Sequence, residues 1–254
     1  MVEVAAQLAA GHIFGCLMRT SLLIAPHSPA EVILVLSSVA KTWFKKEHHH
    51  GKTDKTVYNK LKPMSTQQTA QKIFIQMSGA PGSGKSTMAR MLGESIGAVV
   101  IDHDIIRSSL LDANVPFDQA AKQAYQLQWA LAQDIMKQGH SIIVDSTCNF
   151  EEVLERGHAL AQQYGFVYWY VECKVQDIDL LDQRLRNRDA LTSQRTGVDR
   201  PPAAAHGARA GEDSHALFRK WIENPCRPLD NAIIVDSTGG MEMLRDFILK
   251  RVIG

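Results

Sequence analysis

Nine residues constrain this chain more than any others: GAPGSGKST, Gly79 to Thr87. They follow the apolar run KIFIQMS and pass directly into a helix-period pattern, Lys85 to Ile96. The spacing G-x-x-x-x-G-K-[ST] between a strand and a helix builds a tight loop in which several backbone N–H groups converge, and glycines at Gly79, Gly82 and Gly84 are free to take the positive φ this requires. The N-terminus of the following helix adds its partial positive charge at the same point. Such a loop is a cradle for phosphate oxygens, here Gly79, Ala80, Pro81, Gly82, Ser83, Gly84, Lys85, Ser86 and Thr87. Lys85 is expected to reach the β- and γ-phosphates of a nucleotide, Ser86 to ligate Mg²⁺ through its hydroxyl, and Thr87 to pack in the helix. At average composition the pattern arises by chance in roughly one per cent of chains this long, so a merely flexible turn is the weaker reading.

The surrounding pattern agrees with that placement. KIFIQMS, AVVID, SIIVDS, FVYWYVEC and NAIIVDS are short apolar runs, as strands buried on both faces of a parallel sheet read. Helical patterns separate them: Lys85 to Ile96, Asp118 to Lys137, Glu151 to Tyr164, Asp177 to Arg188 and Met241 to Val252, with a further short helix in IIRSSLLDA. The alternation predicts an α/β fold of three layers, α/β/α, around a five-stranded, mostly parallel sheet. One region departs from the rhythm. Residues 188–214, rich in Ala, Gly, Pro and Arg, offer little apolar material for a core, and a loop this long suggests a mobile, Arg-rich lid.

Two strand ends carry acids. Asp145 closes SIIVDS, where it can hold Mg²⁺ directly or through water, or cap the next turn. VVIDHDIIR sets Asp102, His103 and Asp104 at the end of a strand, with Arg107 one turn later. Three successive residues of a strand cannot converge on one ion, because neighbours point to opposite faces, so the triplet is a poor metal site. Asp104 is instead expected to cap the following helix and to accept a proton from an attacking hydroxyl; Arg107, on the same helix face, would hold an anion. His103 is expected to pack locally.

Charge and cysteine content exclude other classes. The 28 Lys+Arg against 27 Asp+Glu give no global field toward nucleic acid or membrane. Cys16, Cys148, Cys173 and Cys226 lack CxxC spacing, so neither a zinc knuckle nor a disulfide framework is indicated. No apolar run approaches the roughly 20 residues that cross a bilayer. Residues 1–63 differ in composition, with eight Lys+Arg and four Asp+Glu, and read as an accessory extension preceding a unit at 70–254. His48, His49 and His50 in it read as a solvated tract. Weak transit-peptide character leaves the mitochondrion as the alternative to a cytoplasmic location.

Taken together, GAPGSGKST, DHDIIR with Asp104 nineteen residues after Lys85, SIIVDSTCN and LLDQRLRNRD resemble the P-loop kinases of the polynucleotide kinase, gluconate kinase and zeta-toxin type, small kinases grouped under an AAA domain. The resemblance covers about residues 72–254. It implies a P-loop NTPase fold, ATP and Mg²⁺ as cofactors, Asp104 as the group that activates the acceptor hydroxyl and Arg107 as a substrate contact. It also implies lid arginines that neutralise the transferring phosphoryl group: Arg184 and Arg188, an i,i+4 pair on the helix leading into the lid, and Arg195. Adenine would sit near Ser237 to Gly240. Tyr125 and Trp129 either wall the acceptor site or belong to the core. The expected reaction is transfer of the γ-phosphoryl group of ATP to a hydroxyl of a small-molecule or nucleotide-type acceptor. The alternatives are ATP hydrolysis without an acceptor, a non-catalytic nucleotide-binding protein, and a polynucleotide 5′-hydroxyl kinase, although no aromatic-basic stacking surface indicates nucleic acid.

Overall fold

A computed structural model describes residues 71–205 and 211–254. The extension at 1–63 and its histidine tract lie outside the described residues. Five strands, β1 (Ile73–Ser78), β2 (Val99–Asp102), β3 (Ile142–Asp145), β4 (Val167–Lys174) and β5 (Ala232–Asp236), form one sheet in the order β2-β3-β1-β4-β5. All four pairings are parallel, not merely most of them.

The helices are α1 (Lys85–Ile96), α2 (His103–Asp112), α3 (Phe117–Lys137), α4 (Glu151–Tyr164), α5 (Ile178–Arg186), α6 (Ser214–Glu223) and α7 (Met241–Val252). Side chains alternate across the central strand and so divide two cores. Ile75 and Met77 of β1 join Met88, Leu92, Ile143, Val171, Val235 and Ile248 on one face, under α1 and α7. Phe74 joins Ile142, Val144, Tyr168, Tyr170, Leu160 and Met136 on the other, under α3 and α4. The expectation of strands buried on both faces fails at the edge: in β5, Ala232, Ile234 and Asp236 are exposed while Ile233 and Val235 are buried.

The described part of residues 188–214 departs from the expected coreless loop. A third apolar cluster, Leu181, Leu185, Val198, Phe218 and Ile222 with Ala80, ties this connection to α5 and α6. Helix α6 was not legible as a helix beside the Ala/Gly/Pro-rich residues that precede it. Asp213 caps it, accepting from Ala216 N–H at 2.9 Å, and Phe218 and Ile222 give it an i,i+4 apolar stripe. Phe218, Leu181 and Leu185 are fully buried, each contributing about 2 kcal/mol of transfer free energy. Asp177 caps α5 through Asp179 and Leu180 N–H, and α5 ends at Arg186; Arg188 is therefore beyond the helix and forms no helical pair with Arg184.

Candidate active site

The loop between β1 and α1 rises from the middle of the sheet. Gly79, Gly82 and Gly84 have φ of 139°, 87° and 87°. At Gly79 a Cβ would lie 2.4 Å from the Cys173 carbonyl oxygen and 2.5 Å from Ser83 Oγ, so the position excludes any side chain. Gly84 is the N-cap of α1 and provides no side-chain bond, and the first turn holds no acidic residue. The leading N–H groups of α1 are thus left to an external anion. Ser83 Oγ is buried without a hydrogen-bond partner, and Lys85 heads the helix at 8% exposure. Ser237, in the loop after β5, donates from Oγ to the Ser83 carbonyl at 2.7 Å and so joins the cradle to the end of the sheet.

Asp145 ends β3 beside the cradle and is in register with Asp102 of β2. It is buried, and its Oδ1 accepts no hydrogen bond. Burial pushes its carboxyl up to about 6; Lys85 and a hydrogen bond from the Ser86 hydroxyl oppose the rise, while Asp102 and Asp104 add to it. A dry carboxylate with an open oxygen, next to a hydroxyl, fits a hard divalent cation. Among the described residues no group of three or more His, Cys, Asp or Glu could hold a metal. A donor set of one carboxylate and one hydroxyl suits Mg²⁺, which keeps waters and takes phosphate oxygens for its other positions.

The Asp-His-Asp triplet separates into three environments. Asp102, not Asp104, is the N-cap of α2: its Oδ1 accepts from Asp104 N–H at 2.9 Å and Ile105 N–H at 3.4 Å, and its Oδ2 meets Arg90 at 3.3 Å. The capping role moves because α2 begins at His103, two residues earlier than a cap at Asp104 requires. His103 is buried, with Nδ1 3.1 Å from Gln128 Oε1 and its ring 4.2 Å from that of Tyr125; burial lowers its pKa. Asp104, in the first turn of α2, accepts at Oδ2 from Gln194 Nε2 at 2.8 Å. The Arg107 guanidinium lies 4.4 Å from the centre of the Phe117 ring.

The arginines after β4 take separate positions. Arg184 donates to the carbonyls of Ser237, at 3.0 Å, and Gly82, at 3.4 Å, clamping the cradle to the loop after β5. Arg186 pairs with Asp182 and Asp199. Arg195, expected as a lid arginine, lines the smaller of the two cavities described below with most of its guanidinium already engaged: it is 5% exposed and donates to Glu212 (3.0 Å), the Val198 carbonyl (2.9 Å) and Ser214 Oγ (3.0 Å), its guanidinium is 5.6 Å from the Phe218 ring centre, and its Nε is buried without a hydrogen-bond partner. Arg188 donates from Nη2 to the Arg195 carbonyl at 3.0 Å, and its Nε is buried without a partner. Burial holds the Arg188 guanidinium below its ordinary pKa, against the pull of Asp104.

These side chains border two cavities. One, of about 600 Å³, is lined by Gly82, Gly84, Ser86, Thr87, Arg184, Ser237 and Met241. The other, of about 300 Å³, is lined by Asp104, Arg107, Asp145, Thr147, Asn149 and a set of rings, Phe117, Tyr125, Phe150 and Trp221. Lys85, Arg188 and Gln194 line both. Tyr125 therefore faces the smaller cavity as well as packing against the core, whereas Trp129 packs against the core alone. Gln194, Asn149, Phe117 and Trp221 were not foreseen: a lone polar residue in a loop, or a ring at a helix start, has no local signature. Among the described residues no helix is long and apolar enough to cross a membrane.

The family described as AAA domain matches residues 74–224. Among solved structures, a "putative kinase" from Chloroflexus aurantiacus j-10-fl superposes with a TM-score of 0.55 at 19% identity, covering 73% of this chain and 97% of its own. A sugar kinase from Janibacter sp. HTCC2649 has a TM-score of 0.49 at 14% identity, covering 70% and 93%. An APS kinase from Mycobacterium tuberculosis, in complex with AMPPNP and APS, has a TM-score of 0.47 at 17% identity, covering 71% and 96%. No curated protein matches the sequence. The first of these structures shares the three-layer α/β architecture described above.

Proposed function

The chain belongs to the AAA domain family, with the fold of the small P-loop kinases, and from that premise we propose that it transfers the γ-phosphoryl group of ATP to a hydroxyl of a small-molecule or nucleotide-type acceptor. The observation that carries the proposal is the shared wall of the two cavities. Lys85, Arg188 and Gln194 stand between a compartment bounded by the phosphate cradle and a ring-walled compartment bounded by Asp104. A phosphoryl group at that wall has a cradle on one side and a carboxylate on the other.

In the larger compartment, the amides of Gly82 to Ser86 bind the nucleotide's phosphates, Lys85 spans the β- and γ-phosphates, and Arg184 fixes the loop after β5. Ser86 and Asp145 would hold Mg²⁺, which would spread the charge on the β- and γ-phosphate oxygens. In the smaller compartment Phe117, Tyr125, Phe150 and Trp221 exclude water and grip the body of the acceptor, while Arg107 meets its polar part. Asp104 takes the proton of the acceptor hydroxyl as its oxygen bonds to the γ-phosphorus and the bond to the β,γ-bridging oxygen breaks, releasing ADP. Arg188, with a buried and unfilled Nε, meets the charge on the equatorial oxygens as it redistributes. The loop that carries it acts as the lid.

The test is to incubate the protein with radiolabelled ATP and a pool of sugars, nucleosides, nucleotide-sugars and 5′-hydroxyl oligonucleotides. Transfer of label to a small molecule, abolished in Asp104→Asn with ATP binding retained, is the expected result. Label released only as inorganic phosphate, with or without the pool, refutes the kinase reading.

A further inference from the structure

Residues 192–194 lie along α2 as a three-rung stitch. Thr192 Oγ1 donates to Asp112 Oδ1 at 2.7 Å, Ser108 Oγ donates to Ser193 Oγ at 2.9 Å, and Gln194 Nε2 donates to Asp104 Oδ2 at 2.8 Å. Asp104, Ser108 and Asp112 recur at four-residue intervals and so share one helix face, which three consecutive residues of the connection meet in reverse order. The middle rung is doubled. Ser193 N–H donates to Ser108 Oγ at 3.1 Å, and Ser193 Oγ donates to the Asp104 carbonyl at 3.2 Å.

The Gln194 amide can face only one way. Leu191 N–H donates to its Oε1 at 3.2 Å, a bond that only the carbonyl oxygen can accept, so the NH₂ group is what meets Asp104. An amide N–H on a carboxylate occupies one of its two oxygens. The other is left for the ring-walled cavity, which Asp104 and Gln194 both line.

We propose that Gln194 is a positioning residue: its amide fixes Oδ2 of Asp104 so that Oδ1 receives the proton of the acceptor hydroxyl, and the base is complete only while residues 192–194 lie on α2. The role as base rests on the kinase reading; the Gln194–Asp104 contact does not. The charged and titratable groups around Asp104 are Lys85 from α1, Asp102, His103 and Arg107 from its own strand and helix, Asp145 from β3, Asp118 and Tyr125 from α3, and Arg188 and Arg195 from the connection. Gln194 bonds the Asp104 carboxylate directly, at 2.8 Å.

The test is the side-chain amide ¹H–¹⁵N resonance pair of Gln194 in the full chain at one fixed pH, assigned by its loss in Gln194→Ala. Asp104→Asn, which removes the charge that the amide meets, shifts this pair well beyond the change at other glutamine side chains. In the radiolabel assay with the hydroxyl pool, Gln194→Ala lowers kcat about tenfold at unchanged KM for ATP, and Thr192→Ala, which loosens the stitch, lowers it by less. A Gln194 pair unmoved by Asp104→Asn overturns the proposal. So does a moved pair with unchanged transfer in Gln194→Ala. A wild-type protein that labels nothing removes the kinase reading and this role with it, and the resonance shift, still present, would distinguish that failure from an absent contact.

Discussion

Arg188 donates from Nη2 to the carbonyl of Arg195 at 3.0 Å, so one arginine of the connection is held in place by the backbone of another. The side chain of Arg195 is in turn fixed by Glu212, the Val198 carbonyl and Ser214. On the proposed reading Arg188, which lines both cavities, faces the reacting group, and Arg195 builds the frame beside it.

Substitution should separate those roles. Arg188→Ala is expected to lower kcat by three or more orders of magnitude with little change in thermal unfolding. Arg195→Ala removes one partner of a buried pair and should cost about 3 kcal/mol, a fall in Tm of about 6–12 °C for a unit this size. Arg195→Lys should not rescue it, because an ammonium cannot serve three acceptors spread around a planar fork. Thermal melts and single-turnover transfer measured on the same preparations check both.

Asp145 makes the stability of the metal-free protein fall as pH rises. Its carboxyl is raised to about 6 in the fold from an ordinary 3.8. Between those values the native state binds more protons than the unfolded state, so the penalty is absent below about pH 4, grows to about pH 6 and is complete above it. At 1.36 kcal/mol per unit it reaches about 3 kcal/mol. Asp145→Asn should therefore stabilise the metal-free protein at pH 7 and hardly at all at pH 4, as urea unfolding would show. Mg²⁺ affinity should rise over the same window, as the proton leaves.

Removing the cap on α2 should be mild and confined to stability. Asp102→Ala frees the N–H groups of Asp104 and Ile105 and is expected to cost about 1 kcal/mol. The Arg90 pair adds little, since that arginine is largely in solvent. A loss of transfer as complete as that of Asp104→Asn would contradict the division of labour between the two aspartates.

Arg184→Ala should weaken nucleotide binding rather than chemistry. It releases the carbonyls of Gly82 and Ser237, loosening the contact between the cradle and the loop after β5. KM for ATP should rise about tenfold with kcat within about threefold, and titration with a fluorescent nucleotide would show the same loss of affinity.

The parts of this arrangement differ in how far they could be read from residues alone. The cradle was legible because its requirements are local: three glycines at positive φ and a helix start fit within nine residues. Strand runs such as IFIQMS and IIVD were legible because burial on both faces fills most positions with apolar side chains, Gln76, Ser78 and Asp145 being the buried polar exceptions. The choice of cap was not, since Asp102 and Asp104 both satisfy the local pattern and only the end of β2, in register with Asp145, decides between them. Nor were the roles of Arg188 and Arg195, which depend on Glu212 and Phe218, 17 and 23 residues beyond Arg195. Gln194 had no signal at all, its partner being 90 residues away.

The wall common to the two cavities is three side chains wide, and on the proposed reading the residues that would recognise the acceptor lie beyond it, on Arg107, Phe117, Tyr125, Asn149, Phe150 and Trp221. Recognition of the acceptor and handling of the nucleotide are then modular. Replacing the rings would redirect the chain to a different acceptor with the proposed phosphoryl chemistry intact, so the outer ring of the smaller cavity is where a redesign should begin.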